Sequence, residues 1–433
     1  MNHMNRRRFM QLAGLGALGA AGMTTLAACG GGGSDGTAVR FAWWGDTVRQ
    51  QKYTEALELF ARQNPGIEVR PEFADYDAFQ ERITVQTAGR DVPDVFWIPS
   101  PQVMSYQDAG LYRRLDDIGS LDLSAFSPEQ IESYKIDGEL NTLPRSVLTA
   151  AVRYNQTFLD EAGAELPAAD AQGWTWDRLS EFLIDYARNA PEGRKGIHYN
   201  AQADLCFEAW LRQHGQDLWT ADGRMGFDAA TLAAWFEWWE VLRRAGAATS
   251  LSEQEGAQPE WPVVGDKVLM TFGNSNHIAD EAPMFPDYEF GLRPMPVLPD
   301  AAPGHRFAYL SRIAVYSGID DDALDAAGRL VHFTINDPAL LPIVGLSVGA
   351  PANPQVLQAA YAVANEDEKK MLAVVEQEMA EAQKPRYEAP AGSGTWRTIM
   401  ARGVEEVALE RASVADAAAR VIADIDRELG QAS

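Results

Sequence analysis

The sequence has little positive charge and lacks a run of apolar residues suited to a permanent membrane span. It has 37 lysines and arginines against 62 aspartates and glutamates, which gives a net charge of −25 over 433 residues. The apolar stretch at residues 12–28 is too short, and too rich in glycine and alanine, for a lasting transmembrane helix. Such an acidic surface repels nucleic acid and anionic lipid headgroups. We therefore expect no nucleic-acid partner.

The sequence also lacks the common motifs of nucleotide, zinc and hydrolase sites. No G-x-x-x-x-G-K-[ST] segment exists, and the six histidines form no H-E-x-x-H pair. Residues 345–349 match G-x-S-x-G, but Pro351 and Pro354 oppose the helix that must follow a nucleophile elbow. The sequence predicts no enzyme, no catalytic residue, no cofactor and no metal. A glycosidase remains open, because its two carboxylates converge from distant positions.

The N-terminus combines an arginine cluster with a cysteine after small apolar residues. Residues 6–10, Arg-Arg-Arg-Phe-Met, resemble a twin-arginine export signal, and residues 26–29, Leu-Ala-Ala-Cys, resemble the lipobox of bacterial lipoproteins. The resemblance implies a signal peptide at 1–28, a lipid-anchored flexible tether at 29–37 and lipidation at Cys29. Removing 1–28 takes away three arginines and no acid, so the net charge becomes −28. Cys206 then has no cysteine partner, and we expect a buried thiol.

The first third of the chain alternates between strand and helix patterns. Apolar runs at 39–44, 67–73 and 95–98 are separated by helix-like segments, which predicts parallel strands of a doubly wound sheet. Ligands on such sheets bind outside the carboxyl ends of the strands. Those ends have Trp43, Trp44 and Asp46, then Asp75 and Tyr76, then Trp97. The sequence therefore predicts an aromatic and polar cluster at one edge.

The rest of the chain is predicted to be rich in helices. Ala150 to Tyr154 is predicted to be a strand, and residues 283–303, rich in proline, are predicted to be a linker. Helical spacing predicts core packing rather than ligand contact for Trp235, Trp238 and Trp239. We expect the same of Trp174 and Trp176, which flank a helix start. A long amphipathic helix is predicted to end the chain.

The order of several short motifs resembles the extracellular solute-binding proteins of carbohydrate ABC importers, family 1 type. These motifs are Trp43-Trp44-Gly45, Asn64-Pro65-Gly66, Ala109-Gly110-Leu111-Tyr112, Tyr154-Asn155, Trp174-Thr175-Trp176 and Gly265-Asp266-Lys267-Val268-Leu269-Met270 before Gly273-Asn274. The resemblance implies an α/β fold of the periplasmic-binding-protein-like type II, with two doubly wound lobes joined by several hinge crossings. The implied N-terminal lobe comprises 38–147 and 306–352, and the C-terminal lobe comprises 148–305 and 353–433.

The resemblance also implies a function. A lipid-anchored receptor on the extracytoplasmic face would capture a mono- or oligosaccharide between its lobes and deliver it to ABC permease subunits. We expect a monomer that is held at the membrane by its lipid alone. Two alternatives stay open: a surface-anchored glycoside hydrolase, and a receptor for a non-sugar solute such as a glycerophosphodiester or a polyamine.

Sugar recognition needs aromatic rings for C–H faces and planar polar groups for adjacent hydroxyls. The candidate ligand-binding residues are Trp43, Trp44, Asp46, Tyr76, Trp97, Asn155, Trp210, Trp261, Asn274, Asn276, Arg312 and Asn353. Several have a structural alternative: Asp46 can cap a helix, Arg312 can form a salt bridge and Asn353 can form a turn. Ser275 stands where the family often has an aromatic, so Trp210 or Trp261 is the candidate for that stacking role.

Overall fold

The computed structural model describes residues 36–170, 172–254 and 266–432. The predicted signal peptide, Cys29 and Trp261 lie outside these residues. The strands are β1 (Thr37–Trp44), β2 (Ile67–Ala74), β3 (Val95–Ile98), β4 (Leu143–Leu148), β5 (Ala150–Asn155), β6 (Lys195–Ile197), β7 (Val268–Asn274), β8 (Phe290–Pro294) and β9 (Tyr309–Val315).

Helices connect and cover these strands. They are α1 (Thr47–Gln63), α2 (Tyr76–Gly89), α3 (Val103–Asp108), α4 (Pro128–Tyr134), α5 (Gln156–Ala162), α6 (Trp176–Asn189), α7 (Asp204–Gln213), α8 (Ala229–Arg244), α9 (Leu251–Gln254), α10 (His277–Glu281), α11 (Asp321–Asn336), α12 (Leu341–Val344), α13 (Pro354–Val363), α14 (Glu366–Met379), α15 (Trp396–Ala408) and α16 (Val414–Ala432). Among the described residues, we find no helix with the length and hydropathy needed to cross a bilayer.

The first sheet has the strand order β2-β1-β3-β9-β4. β1 pairs in parallel with β2 and β3, as the strand–helix alternation predicts, while β9 runs antiparallel between β3 and β4. All four residues of β3 are buried because its two faces belong to different hydrophobic clusters. The predicted doubly wound α/β fold is confirmed, and its parallel strands end at one edge.

The second sheet has the order β6-β7-β5-β8. The predicted strand at 150–154 is β5, which lies between antiparallel neighbours. The prediction of a linker at 283–303 is wrong in part, because Phe290–Pro294 forms β8 and pairs with residues 151–155 of β5. Apolar residues on either side of Gly291 supply the packing of this strand. The nearby prolines made the strand hard to predict from the sequence. The predicted core tryptophans are buried: Trp174, Trp176, Trp235, Trp238 and Trp239.

The chain passes directly from the first sheet to the second at Thr149, between β4 and β5. It returns between β8 and β9, and the two passages touch where the Thr149 hydroxyl donates to the Phe307 carbonyl at 3.3 Å. We call the elements on the first sheet the first half and those on the second sheet the second half. We assign α1, α2, α11, α12 and α13 to the first half and α6, α7, α8, α15 and α16 to the second. We also assign α10 to the second half, because it follows β7 and contacts α14, which packs on β8, although its Ile278 lies in the hydrophobic cluster of the first half. The lobe boundaries inferred from the sequence stay predictions.

Candidate ligand-binding site

Three aromatic residues meet at the carboxyl edge of the first sheet. Trp44 ends β1, Tyr76 begins α2 after β2, and Trp97 lies in β3. The Trp44 ring centroid lies 5.5 Å from that of Tyr76 and 5.2 Å from that of Trp97, both in edge-to-face geometry. We call these three residues the aromatic wall. The structure thus brings together Trp44, Tyr76 and Trp97 from the predicted edge, although Trp97 is only 1% exposed and also packs in the first-half core.

Trp43 lies apart from the wall although it adjoins Trp44 in sequence. It has no solvent exposure and packs against Phe41, Tyr53 and Phe73, with centroid distances of 4.9, 5.6 and 6.1 Å. Successive strand residues point to opposite faces, so one of the pair must enter the core, as predicted. Trp43 is the core residue, and Trp44 is partly exposed.

Arg397 of α15 reaches the aromatic wall from the second half. Its guanidinium donates to the Tyr76 hydroxyl at 3.2 Å and to the Ser100 hydroxyl at 3.0 Å, and it pairs with Asp204 of α7. Burial opposes the charge on Arg397, but Asp204 and Tyr76 outweigh burial and raise the pKa of the guanidinium. Arg397 and Asp204 form a charged pair beside the wall, at the line where the halves meet.

A second arginine, Arg145 of β4, lies flat on the wall. Its guanidinium carbon is 3.6 Å from the Trp97 centroid and 5.5 Å from the Trp44 centroid. Its Nε and Nη1 atoms are buried and have no hydrogen-bond partner. Burial, with a smaller contribution from the nearby positive charge of Arg49, lowers the pKa of Arg145 to about 10.

A charged network begins at Tyr309 of β9. Arg386 lies 5.2 Å from the Tyr309 centroid, and its Nε is 2.8 Å from Glu208 Oε1. Glu388 is 3.4 Å from Arg386 Nη1 and 3.0 Å from the Nε of Arg312. Burial raises the pKa of Glu208, against the lowering effect of Arg386. Arg312 thus forms a salt bridge, which the sequence analysis gave as its alternative to ligand binding. The Nη1 atom of Arg312 also donates to the Tyr134 carbonyl and to the Thr142 hydroxyl.

A polar contact also joins α1 of the first half to α10 of the second. Arg49 of α1 is 3.1 Å from Asp280 of α10, and it donates to the Ser347 carbonyl at 3.2 Å. Asn276 donates to the same carbonyl at 2.6 Å, which places this candidate residue at the junction. Burial raises the pKa of Asp280, although Arg49 and Lys52 oppose that effect. We call Arg49, Asp280, Asn276 and Ser347 the latch.

Three predicted polar site residues cap helices instead of pointing freely into a cleft. Asp46 accepts from the Arg49 amide at 2.8 Å, Asn155 from the Phe158 amide at 3.1 Å, and Asn353 from the Gln355 amide at 2.8 Å. Asn155 and Asn353 are buried, whereas Asp46 is exposed at the strand end beside the wall. A sugar-binding role for these three stays a prediction, and Asp46 has the most accessible position.

Two further aromatic candidates and one amide do not join the wall. Trp210 is buried against Trp176 at 5.0 Å, and its indole nitrogen donates to the Thr231 carbonyl at 3.3 Å. It packs in the second-half core, so we see no open ring face for stacking. Asn274 ends β7 opposite Ala150 and is partly exposed. Trp261 lies outside the described residues.

Sequence reasoning missed Arg145, Arg397 and Tyr309. Each comes from a separate element, and their approach to one another depends on how the two sheets are joined. Arg145 offered a weak signal, because a charged residue between Pro144 and Ser146 interrupts an otherwise apolar strand. Arg397 follows Trp396 in the sequence, and no other sequence signal indicated a role for it.

The G-x-S-x-G segment has no nucleophile-elbow geometry. α12 precedes it where a strand is required, and Ser347 is buried. Gly349 has φ of +116°, and a Cβ there would lie 2.8 Å from the Val147 carbonyl. Glycine therefore allows the segment to approach β4 and places Ser347 in the latch. Within residues 36–170, 172–254 and 266–432, we find no group of three or more side chains suited to a metal.

The sequence profile described as bacterial extracellular solute-binding protein matches residues 55–371. The chain belongs to this family. Members of this family are binding proteins, and its description implies a location outside the cytoplasm for this solute-binding protein. The expected recognition and fold are thus confirmed.

Individual relatives are distant. A curated binding protein of Brucella abortus (strain 2308) is 23% identical over 266 residues, which cover 58% of this chain and 61% of the relative. The solved oligogalacturonide binding protein of Yersinia enterocolitica, in complex with saturated digalacturonic acid, has a TM-score of 0.80 at 19% identity, covering 92% of this chain and 99% of that one. The acarbose-binding GacH receptor of Streptomyces glaucescens has a TM-score of 0.73 at 18% identity, covering 92% and 100%. At these identities the solved structures establish the fold.

Proposed function

We propose that this solute-binding protein captures a mono- or oligosaccharide between its two halves and delivers it to the membrane subunits of an ABC importer. The observation that carries the proposal is the aromatic wall on the first half facing Arg397 of the second half. Sugars present apolar C–H faces and a rim of hydroxyls. An aromatic ring covers the first, and a paired guanidinium and carboxylate bind the second.

The chemistry of the wall fits a sugar better than the non-sugar alternatives. Trp44 and Tyr76 stand beside the Arg397–Asp204 pair, which offers donors and acceptors together. A polyamine would need unpaired carboxylates, but Asp204, Glu208 and Glu388 are paired with arginines. The Yersinia and Streptomyces proteins of the same fold bind saccharides, which supports the same ligand class here.

Ligand access requires the halves to separate. The cavity beside Trp97 and Arg145 measures about 30 Å³, which is room for about two water molecules. Its lining residues all belong to the first half, so it is not the cleft between the halves. The contacts of Arg397 with Tyr76 and Ser100 occupy the approach to the aromatic wall from the second half. We therefore interpret the arrangement as closed. Opening admits the sugar, closure buries it, and docking to the permease releases it.

The proposal is tested by binding without consumption. The purified chain is screened by thermal shift and calorimetry against neutral and acidic mono- and oligosaccharides, glycerophosphodiesters and polyamines, and the ligand is recovered for mass spectrometry. We expect at least one saccharide to raise the melting temperature by several degrees and to return intact. Binding confined to a phosphodiester or polyamine contradicts the proposal, and so does cleavage of the saccharide, which would support the glycoside hydrolase.

We also propose that the mature protein is a monomer held by lipid at Cys29 after twin-arginine export. The support is the residue pattern at 6–10 and 26–29. Metabolic labelling with a fatty-acid analogue is expected to mark the wild-type protein and not the Cys29→Ser variant. Replacing Arg6 and Arg7 by lysine is expected to keep the precursor in the cytoplasm. Labelling of Cys29→Ser, or export of the lysine variant, contradicts this part of the account.

A further inference from the structure

Arg145 differs from the other arginines around the wall in having no carboxylate. Arg386 pairs with Glu208 and Glu388, and Arg397 pairs with Asp204. Arg312 and Arg49 also have acidic partners. Among the described residues, no Asp or Glu oxygen lies within ion-pair distance of Arg145. An arginine without an acidic partner is exceptional in a chain that has 62 acidic and 37 basic residues.

Apart from the rings of Trp97 and Trp44, nothing in the described surroundings of Arg145 offsets its charge. Its Nε and Nη1 are buried without a hydrogen-bond partner, and leaving a buried charge unpaired is costly. Asp337 lines the same cavity, but it accepts from Gln63 Nε2 at 3.0 Å and from the Ala339 amide at 2.9 Å. Arg49 is also near and adds a second positive charge. The cavity beside Trp97 therefore has unmatched positive charge.

The orientation of Arg145 suits a planar anion. Stacking at 3.6 Å on Trp97 fixes the plane of the guanidinium and leaves its edge for hydrogen bonds. A guanidinium edge offers two parallel N–H donors, which match the two oxygens of a carboxylate. The Trp44 ring centroid lies 5.5 Å from the guanidinium carbon and provides a second aromatic surface nearby. A ligand that pairs with the guanidinium edge and also covers the Trp44 ring has a carboxylate attached directly to a ring with an apolar face.

We infer that Arg145 is the binding residue for a carboxylate of the ligand, so that the captured saccharide is acidic and contains a uronic acid. A uronate carries its carboxylate on the ring carbon that holds a hydroxymethyl group in the neutral sugar. The ring can stack on the aromatic wall while the carboxylate pairs with Arg145. This inference rests on the proposed capture of a saccharide and specifies its class.

The test compares each acidic sugar with its neutral counterpart. The probes are di- and trisaccharides of galacturonate, glucuronate, mannuronate and guluronate, each also as its methyl ester and as its carboxyl-reduced form. Calorimetry is performed at constant ionic strength. We expect at least one acidic saccharide to bind about tenfold to hundredfold more tightly than its own neutral forms, because a hydrogen bond to a charged group strengthens binding by about that factor.

Variants assign this preference to Arg145. Arg145→Gln removes the charge and is expected to abolish the difference between acidic and neutral forms, whereas Arg145→Lys keeps the charge and is expected to restore part of it. The matched control is Arg293→Gln, because Arg293 also stacks on a tryptophan, 4.8 Å from Trp174, but donates to the Pro167 carbonyl. This control is expected to keep the full preference.

The unliganded protein gives a second measurement that guards against misfolding. Arg145→Gln is expected to keep or raise the melting temperature, because it removes an unpaired charge, whereas Arg386→Gln leaves Glu208 without its partner and is expected to lower it. Equal binding of acidic and neutral saccharides by the wild-type protein overturns the inference and leaves the proposed function standing. So does a preference that survives in Arg145→Gln. Failure of every saccharide to bind overturns both.

Discussion

At the scale of single residues, the neighbours Trp43 and Trp44 separate stability from binding. Trp43 is fully buried in the first-half core, whereas Trp44 is partly exposed and forms the centre of the aromatic wall. The two share a strand, a residue type and a flanking sequence. They therefore form a matched pair in which Trp43 serves the fold and Trp44 is proposed to serve the ligand.

We predict opposite outcomes for truncating this pair. Trp43→Ala is expected to lower the free energy of unfolding by about 3–5 kcal/mol, because it removes a large core side chain. Trp44→Ala is expected to weaken saccharide affinity about tenfold or more, with a smaller loss of stability. Denaturant unfolding and calorimetry measure the two effects. Unchanged affinity in Trp44→Ala would remove Trp44 from the site.

His198 is predicted to make the protein sensitive to acid. It is buried, and neither ring nitrogen has a hydrogen-bond partner. Burial, with a smaller contribution from Arg153, lowers its pKa from 6.5 to about 4. The folded state then resists protonation, so stability is full above pH 6.5 and is lost as the pH falls towards 4, by up to about 3 kcal/mol.

Urea unfolding between pH 7 and pH 4 checks this prediction. His198→Phe is expected to reduce the pH dependence in that range, because one group that takes up a proton on unfolding is gone, while His277 and His305, whose pKa values burial also lowers, account for the rest. His214, which is exposed, provides the control, and His214→Phe is expected to follow the wild-type curve. A His198→Phe curve parallel to the wild-type curve would contradict the assignment.

The sequence was informative about the wall and less so about its polar partners. Trp44, Tyr76 and Trp97 were predictable because each follows or ends an apolar run, and parallel strands end at a common edge. Asp46, Asn155 and Asn353 were ambiguous because a carboxylate or amide at a strand end suits a helix cap equally well. Arg145 and Arg397 were not predictable, since their positions depend on the packing of elements far apart in sequence.

At the scale of elements, α15 positions Arg397 through its packing on α8 and α16. Gly403 permits this packing, because a Cβ there would lie 2.4 Å from Val421 Cγ2 of α16. Tryptophans of α8 and α6 fill the core beneath these helices, as their helical spacing predicted. The register of α15 is therefore fixed by its buried face, and Arg397 is fixed with it.

We predict that a single methyl group at this contact disturbs both stability and binding. Gly403→Ala is expected to lower the free energy of unfolding by about 1–3 kcal/mol through overpacking, and to weaken affinity because α15 must shift. Gly430→Ala in α16 is the control, since nothing lies within 4 Å of its Cβ position. It is expected to be neutral or to stabilise by a few tenths of a kcal/mol, up to about 1 kcal/mol. Equal behaviour of the two variants in thermal unfolding would refute this account.

At the scale of the whole molecule, polar contacts join the halves at several places. The latch joins α1 to α10, and the Arg397 contacts join α15 to Tyr76 and Ser100. Val268 of β7, Ile278 of α10 and Phe290 of β8 also pack in the hydrophobic cluster of the first half. The polar contacts exchange readily for water, which suits the opening that we propose for ligand entry.

The latch is predicted to add to affinity without touching the ligand. Asp280→Asn removes the ion pair with Arg49 and disfavours the closed arrangement, so saccharide affinity is expected to fall roughly twofold to tenfold. Asp325→Asn is the control, because Asp325 pairs with Arg329 at 2.8 Å within α11. Calorimetry on both variants decides the matter, and equal affinities would show that the latch has no part in closure.

The central claim, closure of two halves on a saccharide, is tested most directly by a distance between them. Spin labels are attached at Glu81→Cys in α2 and Glu181→Cys in α6, two exposed positions on opposite halves, and their separation is measured by pulsed electron resonance. We expect the saccharide identified by calorimetry to shorten the mean distance and narrow its distribution. Saturating binding that leaves the distance distribution unchanged would contradict the account.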